Sequence, residues 1–217
     1  MPIFIDEKPP EDPNRKDPFL ASPDTHIAVC VGVWDLGKSL DEKYPDENGK
    51  PKIKNKILIG WEVEESVKSD SAEYNGKRKR VDKFYTKSLY KEADLAKTIE
   101  GWVGIDSLKN DEGKPDLESL IGEPCMLNVN NYTAKSGKIK AGVIGVSKLL
   151  KGVDAFEPDN LYKGVDTEYV KIIREANKKT VEDFEKAWES FKKTEAEDSK
   201  KDQELPEKLP KEMEDRK

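Results

Sequence analysis

Residues 77–102 read KRKRVDKFYTKSLYKEADLAKTIEGW, and the periodicity of the chain changes inside this stretch. Its middle part, RVDKFYTKSLY, has the pattern of a strand, in which successive side chains point to opposite faces. Leu95, Ile99 and Trp102 then recur at helical spacing, and Gly104 follows as a stop signal. The stretch therefore predicts a strand that leads directly into a short helix.

Two more strands are predicted upstream of this stretch. In THIAVCVGVWDLG, residues 25–37, apolar side chains at every second position are expected to share one buried face. These side chains are Ile27, Val29, Val31 and Val33. The second strand is KIKNKILIGWEVEES, residues 52–66, and its expected inner face consists of Ile57, Ile59, Trp61 and Val63. A polar loop that contains proline and glycine separates the two strands.

A hairpin and a long helix are predicted downstream. Residues 122–150 read as two strands around the turn TAKSGK, in which Gly137 suits a positive φ. The side chains expected to alternate along the two strands are Cys125, Leu127, Val129, Ile139, Ala141 and Val143. Residues 117–121 read as a short helical turn. An apolar stripe along residues 167–193 predicts the long helix.

Three strands, a helix and a closing hairpin follow one another in the chain order of an OB-fold, a small five-stranded barrel that binds oligonucleotides across one face. The predicted fold is therefore mainly β: a five-stranded OB-fold barrel with an inter-strand helix and a C-terminal α-helical extension, α+β overall. Strands one and four are neighbours in such a barrel. Cys30 and Cys125 are then expected close together, as small buried thiols.

Composition divides the chain into four parts. Residues 1–19 are rich in proline and read as an extended N-terminal arm. Residues 20–153 hold the predicted OB-fold domain, and residues 154–195 the helical extension. Residues 196–217 are highly charged and lack aromatic side chains, so a disordered tail is predicted there.

The overall composition excludes several classes of protein. Two cysteines and a single histidine exclude a disulfide scaffold and a Cys/His zinc site. No apolar run approaches the length of a membrane span, and the N-terminus has no signal-peptide core, so a soluble cytoplasmic protein without a membrane partner is expected. His26 has no sequence neighbour that makes it a base, and no nucleophile has its base nearby. Neither an enzyme nor a bound cofactor is expected.

Basic and aromatic side chains indicate a partner. The net charge is −6, yet residues 77–91 hold a dense basic block with a single acid. Further lysines cluster in residues 52–56 and 134–151. Cations follow a phosphate backbone and aromatic rings stack on unpaired bases, which predicts a surface for single-stranded DNA.

The pleat of the third strand is expected to put Lys83, Tyr85 and Lys87 on the binding face, with Phe84 on the other. Tyr132 is expected at a hairpin tip, and Trp34 either on the surface or as a plug at a barrel end. The predicted nucleic-acid-binding residues are Trp34, Lys54, Lys56, Arg78, Arg80, Lys83, Tyr85, Lys87, Tyr132, Lys138 and Lys140.

One segment of the chain matches the sequence pattern of a phosphate-binding loop. Residues 32–39, GVWDLGKS, match G-x-x-x-x-G-K-[ST] and follow a predicted strand. The chemistry also requires a helix whose N-terminal amides face the phosphates. Prolines and glycine follow Ser39 instead of an apolar helical stripe. The match is therefore interpreted as the start of a loop between strands, and a nucleotide hydrolase is the least favoured alternative.

Five short blocks carry a resemblance to a known family: WDLG at 34–37, GWEV at 60–63, FYTKSL at 84–89, EGWVG at 100–104 and IGEPCMLNV at 121–129. Together they resemble phage and prophage proteins encoded in replication and recombination cassettes, which are described as single-stranded-DNA-binding proteins of OB type. The resemblance covers residues 22–153. It implies a non-catalytic protein that coats single-stranded DNA during phage replication in the bacterial host cytoplasm.

The same resemblance implies a C-terminal tail that recruits replication or recombination proteins. The tail of this chain is only mildly acidic and ends in Asp-Arg-Lys. The helix after Pro158 is an addition to a minimal barrel, where it would cover a barrel end or form a homodimer contact. A competing interpretation is a phage protein-interaction module, or an inhibitor of a host factor, built on the same barrel without nucleic-acid binding.

Overall fold

A computed structural model describes residues 17–41, 45–47, 49–110, 112–134 and 136–203, with side chains as far as residue 190. The strands are β1 (Thr25–Asp41), β2 (Lys52–Ser66), β3 (Arg78–Thr86), β4 (Pro124–Thr133) and β5 (Ile139–Lys148). The helices are α1 (Asp94–Trp102) and α2 (Glu168–Gln203), with 3₁₀ turns at Ile105–Leu108 and Leu117–Leu120. Residues 1–16 of the predicted extended arm lie outside the described part of the chain.

The five strands form one sheet in the order β3-β2-β1-β4-β5, and every neighbouring pair is antiparallel. The edge strands β3 and β5 contact each other, although no strand ladder joins them in the described residues. The mainly β prediction is confirmed: five strands, a helix between the third and fourth, and a helix at the end.

The hydrophobic core lies between the inner face of this sheet and α1. Ile57, Ile59, Trp61 and Val63 all point into it, as the alternation in β2 predicts. Leu95, Ile99 and Trp102 add the apolar stripe of α1. The rings of Trp61 and Trp102 lie 6.1 Å apart, and the indole N–H of Trp102 donates to the carbonyl of Pro124 over 2.8 Å. Both tryptophans are core residues, as predicted.

The predicted inner face of β1 is wrong over its first half. Ala28 and Cys30, and not Val29 and Val31, belong to the core cluster of the inner face. A register shift between Cys30 and Gly32 then reverses the alternation, so that Val33 packs against the core. A β-bulge inserts one residue and moves every later side chain to the other face.

The two thiols are buried and free, as predicted. Ala28 pairs with Cys125 in the β1–β4 ladder, which places the cysteines of both strands on the inner face. Burial raises the pKa of Cys30 to about 12, and burial also raises the pKa of Cys125. Thiols this hard to ionise are poor nucleophiles, so both act as small apolar core side chains.

The C-terminal part differs from its prediction in extent. Residues 153–167 have no helix or strand, and α2 then continues to Gln203. The helix therefore runs into residues 196–217, for which disorder is predicted, and residues 204–217 lie outside the described part. None of the helices in the described residues is long and apolar enough to cross a membrane.

Candidate nucleic-acid interface

The outer face of β1–β3, opposite the core, is built over two glycines. Gly32 pairs with Gly60 across β1 and β2. A Cβ on Gly32 would lie 2.3 Å from the ring of Trp34, and a Cβ on Gly60 would lie 2.6 Å from the carboxylate of Asp82. The missing side chains therefore let one indole and one carboxylate lie directly on the backbone of the sheet.

Arg80 occupies the centre of this face. Its Nε donates to Oδ1 of Asp82 over 2.7 Å, and its guanidinium carbon lies 4.7 Å from the ring centre of Trp34. Burial raises the pKa of Asp82, and the charge of Arg80 opposes that rise. Nη2 of Arg80 is buried and has no hydrogen-bond acceptor in the described residues. The face thus holds a cation stacked on an aromatic ring, with N–H groups still able to donate.

Trp34 is not exposed on this face. It is 3% exposed, because the side chain of Tyr162 and the backbone at Val165 cover it. The indole N–H donates to the carbonyl of Val165 over 2.9 Å, and the ring of Tyr162 lies 5.7 Å away. Leu36, Leu58 and Val170 pack around it. The predicted surface position is therefore wrong, and Trp34 is covered on the outer face of the sheet.

Arg78 lies on the same face and is held by the same segment of chain. Its backbone N–H donates to the carboxylate of Asp159 over 2.6 Å. Its guanidinium carbon lies 3.8 Å from the ring centre of Phe156, and its Nε donates to the carbonyl of Glu157. Both arginines of the predicted site therefore reach the outer face.

The predicted binding face of β3 is wrong because Tyr85 faces the core. The side chain is 2% exposed, its hydroxyl lies 3.3 Å from the hydroxyl of Thr98, and burial raises its pKa. The alternation of side chains is as predicted, but the two faces are exchanged. Phe84 is the aromatic residue that reaches the outer face, beside Leu58, and it is 49% exposed.

The predicted positions of Lys83 and Lys87 are wrong for the same reason, because both lie on the side of β3 that carries Tyr85. Nζ of Lys83 lies 3.1 Å from Asp94 of α1 and 4.8 Å from the ring centre of Tyr85. Nζ of Lys87 donates to Asp35 over 2.6 Å. A long lysine side chain can reach an acid on either side of a strand. The spacing of the lysines in β3 therefore does not show which face of the strand is exposed to solvent.

Two predicted lysines lie on the long β1–β2 hairpin. Nζ of Lys54 donates to Asp41 over 2.5 Å, and Nζ of Lys56 donates to the hydroxyl of Thr86 over 3.0 Å. These lysines line the edge of the outer face at the end where Phe84 lies, because Thr86 and Phe84 belong to the same side of β3.

The β4–β5 hairpin supplies the most accessible predicted residues. Tyr132 is 52% exposed, and its ring lies over Gly142, where a Cβ would approach it to 2.9 Å. Lys138 and Lys140 are exposed, and neither has an ion pair within the described part of the chain. Tyr132 is thus an exposed hairpin aromatic, as predicted.

Tyr169 links this hairpin to the outer face. Burial raises the pKa of Tyr169, and the charges of Asp82 and Tyr132 raise it further while Arg80 lowers it. Tyr169 therefore responds to charges of β3 and of the β4–β5 hairpin. The structure puts Arg78, Arg80 and Phe84 on the outer side of β3 and separates them from Lys83, Tyr85 and Lys87, while Tyr132 lies on the β4–β5 hairpin.

The phosphate-loop match has no phosphate-loop structure. Gly32 to Ser39 lie inside β1, where all of them except Leu36 pair with β2, and no helix directly follows Ser39 in the described residues. The segment thus lacks the helix that a phosphate loop requires. The strand continues to Asp41, beyond the predicted start of the loop. His26, expected to lack a partner, is buried with Nε2 2.9 Å from the carbonyl of Ser22 and Nδ1 3.5 Å from Glu64.

Replacement of Tyr85 tests its position in the core. Tyr85→Ala is expected to lower the free energy of unfolding by about 3–5 kcal/mol, the usual cost of removing a buried aromatic ring. Tyr85→Phe removes only the hydroxyl contact with Thr98 and should cost about 1 kcal/mol or less. Urea denaturation measures both. Full stability of Tyr85→Ala would contradict a core position.

Replacement of Gly32 tests whether the position of Trp34 requires a glycine in β1. Gly32→Ala pushes a methyl group into the Trp34 ring, and overpacking of this kind costs about 1–3 kcal/mol of unfolding free energy. The matched control is Gly101→Ala in α1, where the new Cβ meets only the carbonyl of Val146 at 3.5 Å. There alanine should be neutral or stabilising by up to about 1 kcal/mol. Equal losses of stability in both variants would contradict a specific requirement for glycine beneath Trp34.

Comparison with known proteins adds no identity. No model of a known protein family matches the chain, and no curated protein matches it. The side chains of the outer face and of the β4–β5 hairpin are therefore the basis for a functional proposal. Within the described residues, no group of His, Cys, Asp and Glu is arranged to hold a metal ion.

Proposed function

We propose that this protein binds single-stranded DNA without sequence preference, on a barrel of the OB type. The observation that carries the proposal is the position of Arg80. Its guanidinium stacks on Trp34 on the outer face and keeps a buried Nη2 without an acceptor in the described residues, next to Arg78. A phosphate oxygen is the acceptor that such a pair of arginines suits best.

The topology supports the OB-fold part of the proposal. An OB-fold binds oligonucleotides on the face of its second and third strands, between the loop that joins strands one and two and the loop that joins strands four and five. In this chain Arg80 and Phe84 lie on the β2–β3 face. Lys54 and Lys56 lie on the β1–β2 hairpin, and Tyr132 lies at the β4–β5 hairpin.

The mode of binding follows from the kinds of side chain at these places. Arg78 and Arg80 would bind phosphates on the face, and Lys138 and Lys140 would do so at the hairpin. The rings of Phe84 and Tyr132 would stack on bases, which tolerates any sequence because every base has an aromatic face. A net charge of −6 does not oppose this, since the field at the contact surface decides and not the total.

The proposed role is to coat single-stranded DNA in phage replication or recombination, within the host cytoplasm and without catalysis. The short sequence blocks from WDLG to IGEPCMLNV, within residues 22–153, are the reason for proposing it. Recruitment of replication proteins by the C-terminal tail and formation of a homodimer belong to the same proposal.

A second candidate function is a protein-interaction module. Large apolar side chains at the β4–β5 hairpin and just beyond it are exposed, namely Ile139, Ile144 and Leu150. Exposed apolar clusters often mark protein interfaces. This function predicts no affinity for DNA at any salt concentration.

The response to salt tests charge-driven binding. Fluorescence anisotropy with labelled oligo-dT should show binding that weakens with salt, with a log–log slope of about −0.7 for each phosphate neutralised. The double variant Lys138→Ala/Lys140→Ala should bind with a slope that is flatter by about 0.7 for each phosphate that these two lysines neutralise in the wild type. No binding even at low salt, by the wild type or by a variant that uncovers the outer face, would end the proposal and favour the interaction module.

Replacement of Phe84 tests which face of β3 meets the bases. Phe84→Ala should weaken oligo-dT binding by about 1–3 kcal/mol, the value of one stacked base. Tyr74→Ala is the matched control. Tyr74 is also an exposed aromatic residue, but it lies in the β2–β3 loop, where its ring packs on Phe19. Unchanged affinity of Phe84→Ala would remove the β3 outer face from the binding site.

A further inference from the structure

The segment between β5 and α2 lies directly on the proposed DNA site. We define the strap as residues 153–167, which have no helix or strand of their own. The backbone N–H of Tyr162 donates to the carbonyl of Val31 over 2.7 Å, and that of Asp159 donates to Glu62 over 2.6 Å. These bonds hold the strap across β1 and β2 on their outer side.

The side chains of the strap resemble parts of a nucleotide strand in their chemistry. The Phe156 ring lies against the Arg78 guanidinium, where a base would lie. The Asp159 carboxylate accepts from the backbone N–H of Arg78, as a phosphate oxygen would. The Tyr162 ring lies 5.5 Å from the Arg80 guanidinium and covers Trp34. An aromatic, an acid and a second aromatic thus follow one another along the arginines.

We propose that the strap is a built-in competitor for the DNA site, displaced when single-stranded DNA binds. The inference rests on the proposed function and adds to it. It assigns the Asp159 position to a phosphate, and the Phe156 and Tyr162 positions to bases. Displacement uncovers the part of the Trp34 ring that lies under Tyr162, and this part then joins the exposed rings of the stacking surface.

The closed strap leaves one buried donor without an acceptor and holds the carboxyl groups of Glu62 and Asp159 near each other. Nη2 of Arg80 is buried without an acceptor in the described residues. Glu62 is a buried carboxyl group whose pKa is raised, first by burial and also by the charge of Asp159, while its hydrogen bonds to the strap lower it. Unmet polar groups weaken a closed state, and a DNA phosphate would give Arg80 its acceptor.

The strap can open while α2 stays in place. Gly152 lies just before the strap and Gly164 lies near its end. Both have positive φ and nothing within 4 Å of a Cβ position, so the chain can change direction at these two places. Val170 and Ile173 of α2 pack in the same cluster as Leu36 and Leu58, and Arg174 donates to the carbonyl of Asp35, so contacts that do not involve the strap hold α2 to the sheet. Opening therefore leaves the apolar contact between α2 and β1 intact.

The first experiment opens the strap in the full-length protein by Asp159→Ala/Tyr162→Ala. If the closed strap leaves the site free about a tenth of the time, removal of the competition tightens oligo-dT binding about tenfold. The control is Leu161→Ala, an exposed strap residue between the two, which should bind as wild type does. Unchanged or weaker binding of a folded double variant would overturn the inference.

The second experiment uses the unmodified protein and does not depend on a variant that folds. Hydrogen exchange is measured with and without saturating oligo-dT. Displacement of the strap makes the amides of Asp159 and Tyr162 exchange faster with DNA, while amides of the β1–β2 ladder do not. Equal or slower exchange at these two amides would mean that DNA lies elsewhere or over the closed strap, and would overturn the inference.

The two proposals fail in different ways. If wild type binds oligo-dT but the double variant binds no tighter, the strap is only a structural element and DNA binding stands. If neither wild type nor the double variant binds oligo-dT at low salt, the proposed function fails and the strap proposal fails with it. Binding by the double variant alone would support both, because the strap would then be closed nearly all the time.

Discussion

The pairing of Gly32 with Gly60 in the β1–β2 ladder is the constraint on which the outer face depends. Any larger side chain at either place would lift Trp34 or the Arg80–Asp82 pair away from the sheet. With both side chains missing, indole and guanidinium can lie close to the backbone and stack on each other. The strap then closes over a flat surface of rings and charges. The two glycines therefore allow Trp34 and Arg80 to lie against the sheet, and these side chains form part of the surface that the strap covers.

Burial on both sides of β2 explains why one sheet serves two purposes. Every residue from Ile57 to Val63 is buried. The inner side chains pack on α1 and the core tryptophans, and the outer ones lie beneath α2 and the strap. The core therefore holds the sheet rigid while the outer cover remains small and local. Under the proposed function, rigid strands keep in position the groups that would contact the DNA.

The interface shows where inference from sequence holds and where it fails. The inner face of β2 was predictable, because Ile57, Ile59, Trp61 and Val63 alternate with less apolar neighbours. The face of β3 was not, because Phe84 and Tyr85 are both aromatic and lysines flank Tyr85 on either side. Only pairing with β2 decides between them: Tyr85 lies opposite core Ile57, and Phe84 lies opposite Leu58 of the outer face. In β1 the bulge between Cys30 and Gly32 exchanges the two faces, and the local sequence pattern did not predict it.

By itself, the sequence determined the type and order of the elements, because strand and helix periods and turn glycines are local properties. It also determined that Tyr132, Lys138 and Lys140 belong to an accessible hairpin. Only the tertiary structure decided which side of β3 faces solvent. Alternating side chains define two faces, but which face is buried depends on the partner strand and the core. It also decided that Trp34 is covered, since the contact of its indole with Val165 joins residues far apart in the chain.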